Sequence, residues 1–381
     1  MTVAFFSSVL NHHQIEFCDK MFDILGEDFI FVSSMEMEEQ RIKLKYSQFE
    51  RDYELKAYLS EQNKKKADDL FQNADVVLCG GDDKQALCKR LTNEKITFLY
   101  RERLFKHKLT PILYLKYLRR FVKEFWRFRN KPFYLLCASA YSYSDHKHLG
   151  MFVNKAFYWG YFPKVKKYDD IEEIIKLKRS VSILWVARFI KWKHPEMPIK
   201  IAAKLRSNGY KFKLNMIGDG VCRPETEKLI KKYCLEDGVY LLGSMPPEEV
   251  RKNMEKSEIF LFTSDRKEGW GAVLNESMNS GCAVVANKAI GSVPYLIKDG
   301  ENGVIYNGRT SDLYKKVKYL LENPEKRKEM GRRAYITMTD VWNADYATER
   351  FVQVIKAMVE NRPIPLFADG PMRIYNENIK Y

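Results

Sequence analysis

From Val181 to Asn287 the chain repeats one alternation: a short run of β-branched and aromatic residues, a glycine-bearing or polar turn, then a stretch of helical character. The runs are VSILWVA, FKLNMIG, VYLLG, IFLFTS and AVVAN; helical patterns fall at about Pro195–Asn208, Pro224–Tyr233 and Pro246–Lys256. Strands separated by whole helices cannot be joined as hairpins, so they must run parallel, with helices covering both faces of the sheet. The N-terminal part alternates in the same way. Its strand candidates are Val3–Val9, Phe29–Val32, Val76–Cys79, Ile96–Tyr100 and Phe133–Cys137, and its helix candidates include Ile15–Leu25 and Lys66–Asn73. The expected fold class is therefore α/β, with two Rossmann-like parallel-sheet domains facing across a cleft.

A length of 381 residues with 45% hydrophobic content suits two cores better than one. The charged segment PKVKKYDDIEEIIKLKRS separates the two alternating series. Expected domains are residues 1–165, residues 166–345, and a C-terminal helix and tail over 346–381. That helix reads as NADYATERFVQVIKAMVEN, starting after Asp340 or Asn343. No internal repeat interrupts the pattern.

The formal net charge is +15, and the stretch Arg101 to Lys131 alone carries +9, from eleven Lys and Arg against Glu102 and Glu124. Inside it, PILYLKYLRRFVKEFWRFRNK places Tyr114, Tyr117, Leu118, Phe121, Val122 and Phe125 at helical spacing; Lys116, Arg119, Arg120, Lys123 and Arg127 take the other side. A basic amphipathic helix of this kind can lie on an anionic membrane, track a nucleic-acid backbone, or cover a sheet and solvate its charges. Seven scattered cysteines, with no metal-ligand spacing, point to free thiols in a reducing compartment and so to a cytoplasmic protein. MTVAFFSSVL lacks the features of a signal peptide, and no apolar run is long enough to span a bilayer. His146 and His148, in SDHKH, read as solvated loop residues; no metal site is expected.

Parallel sheets bind ligands beyond the carboxyl ends of their strands, so the loops after the second-series strands are where chemistry is expected. RFIKWK puts Arg188 and Lys193 in one such loop, and GDG puts Gly218 and Gly220, which permit close approach of a backbone to a ligand, in the next. The segment SDRKEGWGAVLNESMNSG delivers Glu268, Gly269, Trp270 and Gly271, then starts a helix near Ala272 that carries Glu276. Arg and Lys neutralise a phosphate, as do helix-start amides, whereas carboxylates accept from paired hydroxyls. A sugar, a diphosphate and a ribose in a row describe a nucleotide sugar.

With these residues in place the chain resembles the retaining GT-B glycosyltransferases of family 4 (glycosyl transferases group 1). In them an Arg, four residues, then Lys, and later a Glu, seven residues, then Glu, mark the donor site. Arg188 with Lys193 and Glu268 with Glu276 meet both spacings, and IGDG, LLGSMPPEEV and GSVPYLIKDGENGVIYN follow the same order. The resemblance covers about Ser182 to Asn307 well and the earlier residues poorly. It implies that Arg188 and Lys193 hold the diphosphate and stabilise the leaving nucleotide. Glu268 would contact the transferred sugar, with Gly269, Trp270, Gly271 and Ala272 shaping its pocket, and Glu276 would accept from the ribose. Gly243 to Met245 would lie near the base. It further implies a reaction that retains anomeric configuration, needs no cofactor or bound metal, and uses UDP more often than GDP. Its terminal helix would cross back onto the first domain.

On the acceptor side the chain departs from the family pattern. The first loop is NHHQ, giving Asn11, His12 and His13 as candidates, and ITFLYRERLFKHK supplies Glu102, Arg103 and His107. The expected partners are a nucleotide sugar and a glycan or lipid-linked acceptor, such as a surface polysaccharide under assembly. Peripheral membrane contact through Arg101 to Lys131 is expected, and nucleic acid is not. A sugar-nucleotide epimerase or hydrolase on the same fold, and a non-enzymatic nucleic-acid binder built on the basic helix, remain as alternatives.

Overall fold

A computed structural model describes residues 1–37, 50–81, 83–106, 111–147, 149–178 and 181–375. The chain divides into two compact units, one of Met1–Lys164 with Asn343–Tyr381 and one of Val165–Trp342.

The first unit is a parallel sheet of β1 (Val3–Ser7), β2 (Phe29–Ser33), β3 (Glu54–Lys56), β4 (Val76–Cys79), β5 (Ile96–Arg101), β6 (Phe133–Cys137) and β7 (Ala156–Tyr158), ordered β3-β2-β1-β4-β5-β6-β7. The second is β8 (Ser182–Val186), β9 (Lys213–Ile217), β10 (Val239–Gly243), β11 (Ile259–Phe262), β12 (Ala283–Asn287) and β13 (Val304–Tyr306), ordered β10-β9-β8-β11-β12-β13. Each is doubly wound. The strand order reverses between β1 and β4 in one and between β8 and β11 in the other, so each unit has a crevice at those strand ends. This is the two-domain α/β architecture expected from the alternation.

Central strands carry apolar residues on both faces because helices cover both. Every residue of β4, β11 and β12 is buried, and burial of each large apolar side chain contributes roughly 1.5–3 kcal/mol. The short edge strands β3, β7 and β13, three residues each, have too little pattern to be read from sequence.

The helix Ala344–Val359 belongs to the first unit. Asn343 caps it, its side chain accepting from Tyr346 N at 2.8 Å. Phe351 projects from it into an aromatic cluster with Phe17, Phe98 and Trp159, at ring separations of 5.9, 5.2 and 5.7 Å. Ile374 then pairs antiparallel with Phe157, closing the β7 edge. The terminal element therefore packs on the first domain, as the resemblance implies.

The basic helix spans Pro111–Phe125. Phe121 and Phe125 are buried beneath it, and Lys116, Arg119, Arg120 and Lys123 are exposed. Ile112, Leu113 and Leu115 also face solvent, at 78%, 52% and 50% exposure. One face covers the sheet while the other adds apolar residues to its charges. No described helix is long and apolar enough to cross a membrane.

His146 departs from the expectation of a solvated loop residue. It lies in the helix Ser142–Lys147 and is fully buried, with Phe121 and Phe152 edge-on to its ring. The SDHKH string looks hydrophilic, yet one turn of helix buries two of its residues, Asp145 and His146. His148, Lys108 and His107 lie outside the described residues.

Candidate functional site

The second unit brings its two functional loops together at the point where strand order reverses. After β8 the chain passes Arg188, makes one tight helical turn over Lys191–Lys193, and sets His194 in the left-handed region (φ 54°). After β11 it runs through Thr263 and Asp265 to Glu268. Thr263 Oγ1 donates to Lys193 O at 2.7 Å and accepts from Trp185 Nε1 at 2.8 Å, and Asp265 N donates to Trp192 O at 2.9 Å. These bonds fix one loop on the other.

Across that seam the Lys193 ammonium forms an ion pair with the Glu268 carboxylate, each side chain only 11% exposed. The ammonium also sits 4.3 Å from the centre of the Trp192 ring. Burial pushes the Lys193 pKa below the usual lysine value, against the opposing pull of Glu268. Arg188 nearby is exposed, and its guanidinium makes no hydrogen bond or ion pair among the described residues. The loop thus presents one held cation and one free one.

Glu276, in the helix Val273–Asn279, has its carboxyl pKa raised by burial, with the Arg251 charge opposing. Among the described residues no hydrogen bond reaches this carboxylate. Arg251 instead donates to Glu276 O at 3.3 Å, Asn279 Oδ1 at 2.8 Å and Ser280 Oγ at 3.3 Å, tying two helices together.

The glycines answer a different need from the one sequence suggests. A Cβ on Gly218 (φ 128°) would lie 2.0 Å from Ala187 O, and one on Gly220 (φ 147°) 2.7 Å from Phe189 O. The close approach they permit is to the chain's own Arg188 loop, which Phe189 N to Asp219 O at 2.8 Å and Cys222 N to Phe189 O at 2.8 Å hold in place. Gly271 (φ 87°) likewise makes room for the Phe262 ring, 2.4 Å from where its Cβ would be. Trp270 is fully buried: Nε1 donates to Asn275 Oδ1 at 2.9 Å, and the ring packs against Tyr295 and Trp342. Its side chain is an anchor for the loop; only backbone from Gly269 to Ala272 is left to shape a pocket. Gly243 (φ 75°) ends β10, and Met245 Sδ accepts from Asn253 Nδ2 at 3.6 Å.

Sequence reasoning missed His194, Glu196 and Asp265. His194 Nδ1 lies 3.0 Å from Glu196 Oε1 and Nε2 3.5 Å from Asp265 Oδ2. The hydrogen bond to Glu196 raises its pKa above the ordinary histidine value, aided by Asp265. The signal available was a histidine directly following Lys193.

In the first unit, Tyr161 joins candidates that sequence placed far apart. Its ring stacks on His13 at 5.1 Å and 13°, and its hydroxyl donates to Glu102 Oε1 at 2.6 Å. His12 packs on His13 at 3.7 Å, Asn11 Oδ1 accepts from His13 N at 3.0 Å, and Lys106 pairs with Glu102. Arg103 sits 4.5 Å over the Tyr141 ring instead. Asn11, His12, His13, Tyr161 and Glu102 are one cluster at the C-terminal ends of β1 and β5; His107 lies outside the described residues.

The sequence profile of the glycosyl transferases group 1 matches residues 167–337. Over 166 residues the chain is 34% identical to an alpha-D-kanosaminyltransferase of Streptomyces kanamyceticus, covering 43% of this chain and 42% of that protein. Over 153 residues it is 33% identical to an N-acetylgalactosamine-N,N'-diacetylbacillosaminyl-diphospho-undecaprenol 4-alpha-N-acetylgalactosaminyltransferase of Campylobacter jejuni, 40% of each chain. The chain thus spans less than half the length of these curated relatives. Among solved structures it superposes on Anabaena Alr3699/HepE in complex with UDP, with TM-score 0.70 and 14% identity over 94% of this chain and all of that one. The lipopolysaccharide outer core galactosyltransferase WaaB gives TM-score 0.67 at 16% identity, again over 94% and 100%. Residues 167–337 are thus similar to the glycosyl transferases group 1, and the chain as a whole has the GT-B fold.

Proposed function

We propose that the protein is a glycosyltransferase that moves a sugar from a nucleotide-diphosphate donor, UDP in preference to GDP, to a hydroxyl of a growing surface glycan. The single observation that carries this reading is the Lys193–Glu268 pair with free Arg188 beside it. An anionic diphosphate arriving there competes with Glu268 for the ammonium. Lys193 and Arg188 then neutralise the phosphates, as point charge and fork, and stabilise the charge that develops on the leaving nucleotide. The proposal gives this neutralisation to the two cations rather than to a metal ion. Glu268, released from Lys193, becomes an acceptor for sugar hydroxyls, and the uncommitted Glu276 carboxylate accepts from the ribose pair.

Retention of configuration follows if the leaving phosphate oxygen itself takes the acceptor proton, with both groups on the same face of the sugar. The cluster of His12, His13, Tyr161 and Glu102 supplies aromatic faces and one carboxylate for an acceptor glycan. The solved relative HepE was crystallised with UDP and glucose, and the Campylobacter relative is named for a diphospho-undecaprenol acceptor. The first supports a UDP-sugar donor and the second a lipid-linked acceptor for this chain.

The test is a thermal-shift titration of the protein, and of Glu276→Ala, against UDP, GDP and their common sugars, with and without divalent metal. Selective stabilisation by one nucleotide family, lost in the variant, is the expected result. Stabilisation that appears only with metal, or with no nucleotide at all, overturns the proposal. Nucleotide release from the donor without an acceptor product would instead mark an epimerase or hydrolase.

A further inference from the structure

Beneath the helix Pro111–Phe125, wholly within the first unit, lies a cavity of about 160 Å³. Its walls are apolar, from Leu87, Leu99, Phe121, Phe125 and Phe133, and its rim carries Lys84, Arg101 and Arg120 with Glu124. Glu124 is occupied by Lys84 at 2.9 Å and Arg120 at 3.1 Å. The Arg101 guanidinium has no acidic partner among the described residues; its one hydrogen bond among them is Nη2 to Gly81 O at 3.5 Å. An apolar chamber therefore opens past an uncompensated guanidinium.

His146 supplies the second observation. It lines the same cavity and is fully buried. Nδ1 lies 2.8 Å from Ser142 O, so that nitrogen carries the hydrogen and donates it to the carbonyl. Nε2 is then a bare lone pair, buried without a hydrogen-bond partner among the described residues. Burial holds the ring neutral, its pKa pushed down to about 4, with Arg101 adding to the effect. An orphaned buried acceptor is destabilising, and among the described residues nothing in the wall relieves it.

The cavity is smaller than the roughly 300–1,000 Å³ usual for whole small-molecule ligands. It is also too apolar for a sugar. What matches is a short hydrocarbon segment ending in an anion that carries or shares a proton. A phosphate monoester, with a second pKa near about 6, does this at neutral pH. Its P–OH can donate to Nε2, or Nε2 can take that proton and donate it back; either way the hydrogen bond closes.

We propose that this cavity seats a phosphate-headed hydrocarbon chain, the chain between Leu87, Leu99, Phe121 and Phe125 and the phosphate between Arg101 and His146. The inference is independent of the donor-site reading, which concerns the other unit. The same chemistry is offered by a phosphatidic acid of the bilayer and by an isoprenyl phosphate carrier.

Isothermal titration of the full chain below the probes' micellar concentrations tests it. Octanoyl lysophosphatidic acid represents the first source and farnesyl phosphate the second; monooctanoylglycerol, farnesol and inorganic phosphate are the controls. At least one phosphate lipid is expected to bind about tenfold or more tightly than its own alcohol and than inorganic phosphate, and the tighter of the two identifies the source. Arg101→Gln and His146→Phe should each shrink the preference for phosphate over alcohol about tenfold, the scale of one charge-assisted hydrogen bond. Leu99→Trp, which fills the chamber, should abolish chain-dependent binding, with Leu87→Phe as the substitute if it does not fold. Equal binding of phosphates and alcohols, or wild-type binding by a folded cavity-filling variant, overturns the proposal. UDP titrated into the same samples separates the two readings. UDP binding without lipid binding removes only the cavity's occupant, and lipid binding without UDP binding removes only the donor site.

Discussion

Lys193 and Glu268 stand 75 residues apart in sequence yet form an ion pair between the loops that follow two adjacent strands, β8 and β11. Both are nearly out of solvent, so neither is a decorative surface charge. A buried pair contributes little when intact, but removing one partner leaves the other buried and uncompensated, at about 3–5 kcal/mol. Lys193→Met and Glu268→Leu are each expected to lower stability by that order in urea unfolding. The double variant should recover most of the loss. Sugar transfer should fall tens to thousands of fold in all three, because Lys193→Met removes the proposed leaving-group contact and Glu268→Leu the proposed contact to the sugar hydroxyls, whatever the stability. Single variants as stable as the wild type would show that the pair is not formed in solution.

His194 gives the second unit a pH-dependent term whose sign follows from its partners. Its folded pKa is raised by Glu196 and Asp265. The stabilisation is therefore complete below the unfolded value of about 6.5 and is lost as pH rises through the raised folded value. The ring is part-exposed, so the effect is a few tenths to about 1 kcal/mol. Melting temperatures from about pH 6 to pH 9 should drop more steeply for the wild type than for His194→Gln. Parallel curves would remove His194 as the cause.

How much of this was legible follows from where the information sits in the chain. The central strands declared themselves because burial on both faces demands unbroken apolar runs such as VVLC and IFLF. The helix Ile15–Leu25 and the strand Phe133–Cys137 carry their bounds in their periodicity. Arg188, Lys193, Glu268 and Glu276 were legible only because their spacings recur across a family; no periodicity marks them. Tyr161, by contrast, sits 59 residues from Glu102, and only the fold brings their side chains together. Gly218 was seen as a site residue for ligand approach, whereas the atom that requires a glycine there is a carbonyl of a neighbouring loop.

That carbonyl makes Gly218→Ala an informative variant. The new methyl would overlap Ala187 O at 2.0 Å from a backbone with φ 128°, a combination that costs at least about 1–3 kcal/mol and forces the loops apart. Because Arg188 immediately follows Ala187, nucleotide affinity should fall along with the melting temperature. A variant of unchanged stability would mean that the two loops are not in contact as described.

The outward face of the basic helix makes the last prediction. Ile112, Leu113 and Leu115 are exposed among Lys116, Arg119 and Lys123, none of which is ion-paired among the described residues. Apolar side chains in solvent beside unpaired cations suit an anionic bilayer surface, where each cation contributes about 1 kcal/mol and each inserted aliphatic side chain roughly 1.5–3 kcal/mol. The protein is expected to sediment with vesicles containing an anionic phospholipid and not with neutral ones, and to be released as salt shortens the screening length. Ile112→Asp with Leu115→Asp should weaken that binding tenfold or more, on the scale of about 1.4 kcal/mol per decade. Because both side chains already face water, the melting temperature should stay unchanged. Equal sedimentation with neutral vesicles, or binding indifferent to the paired substitutions, would leave this face as a solvated cover for the sheet.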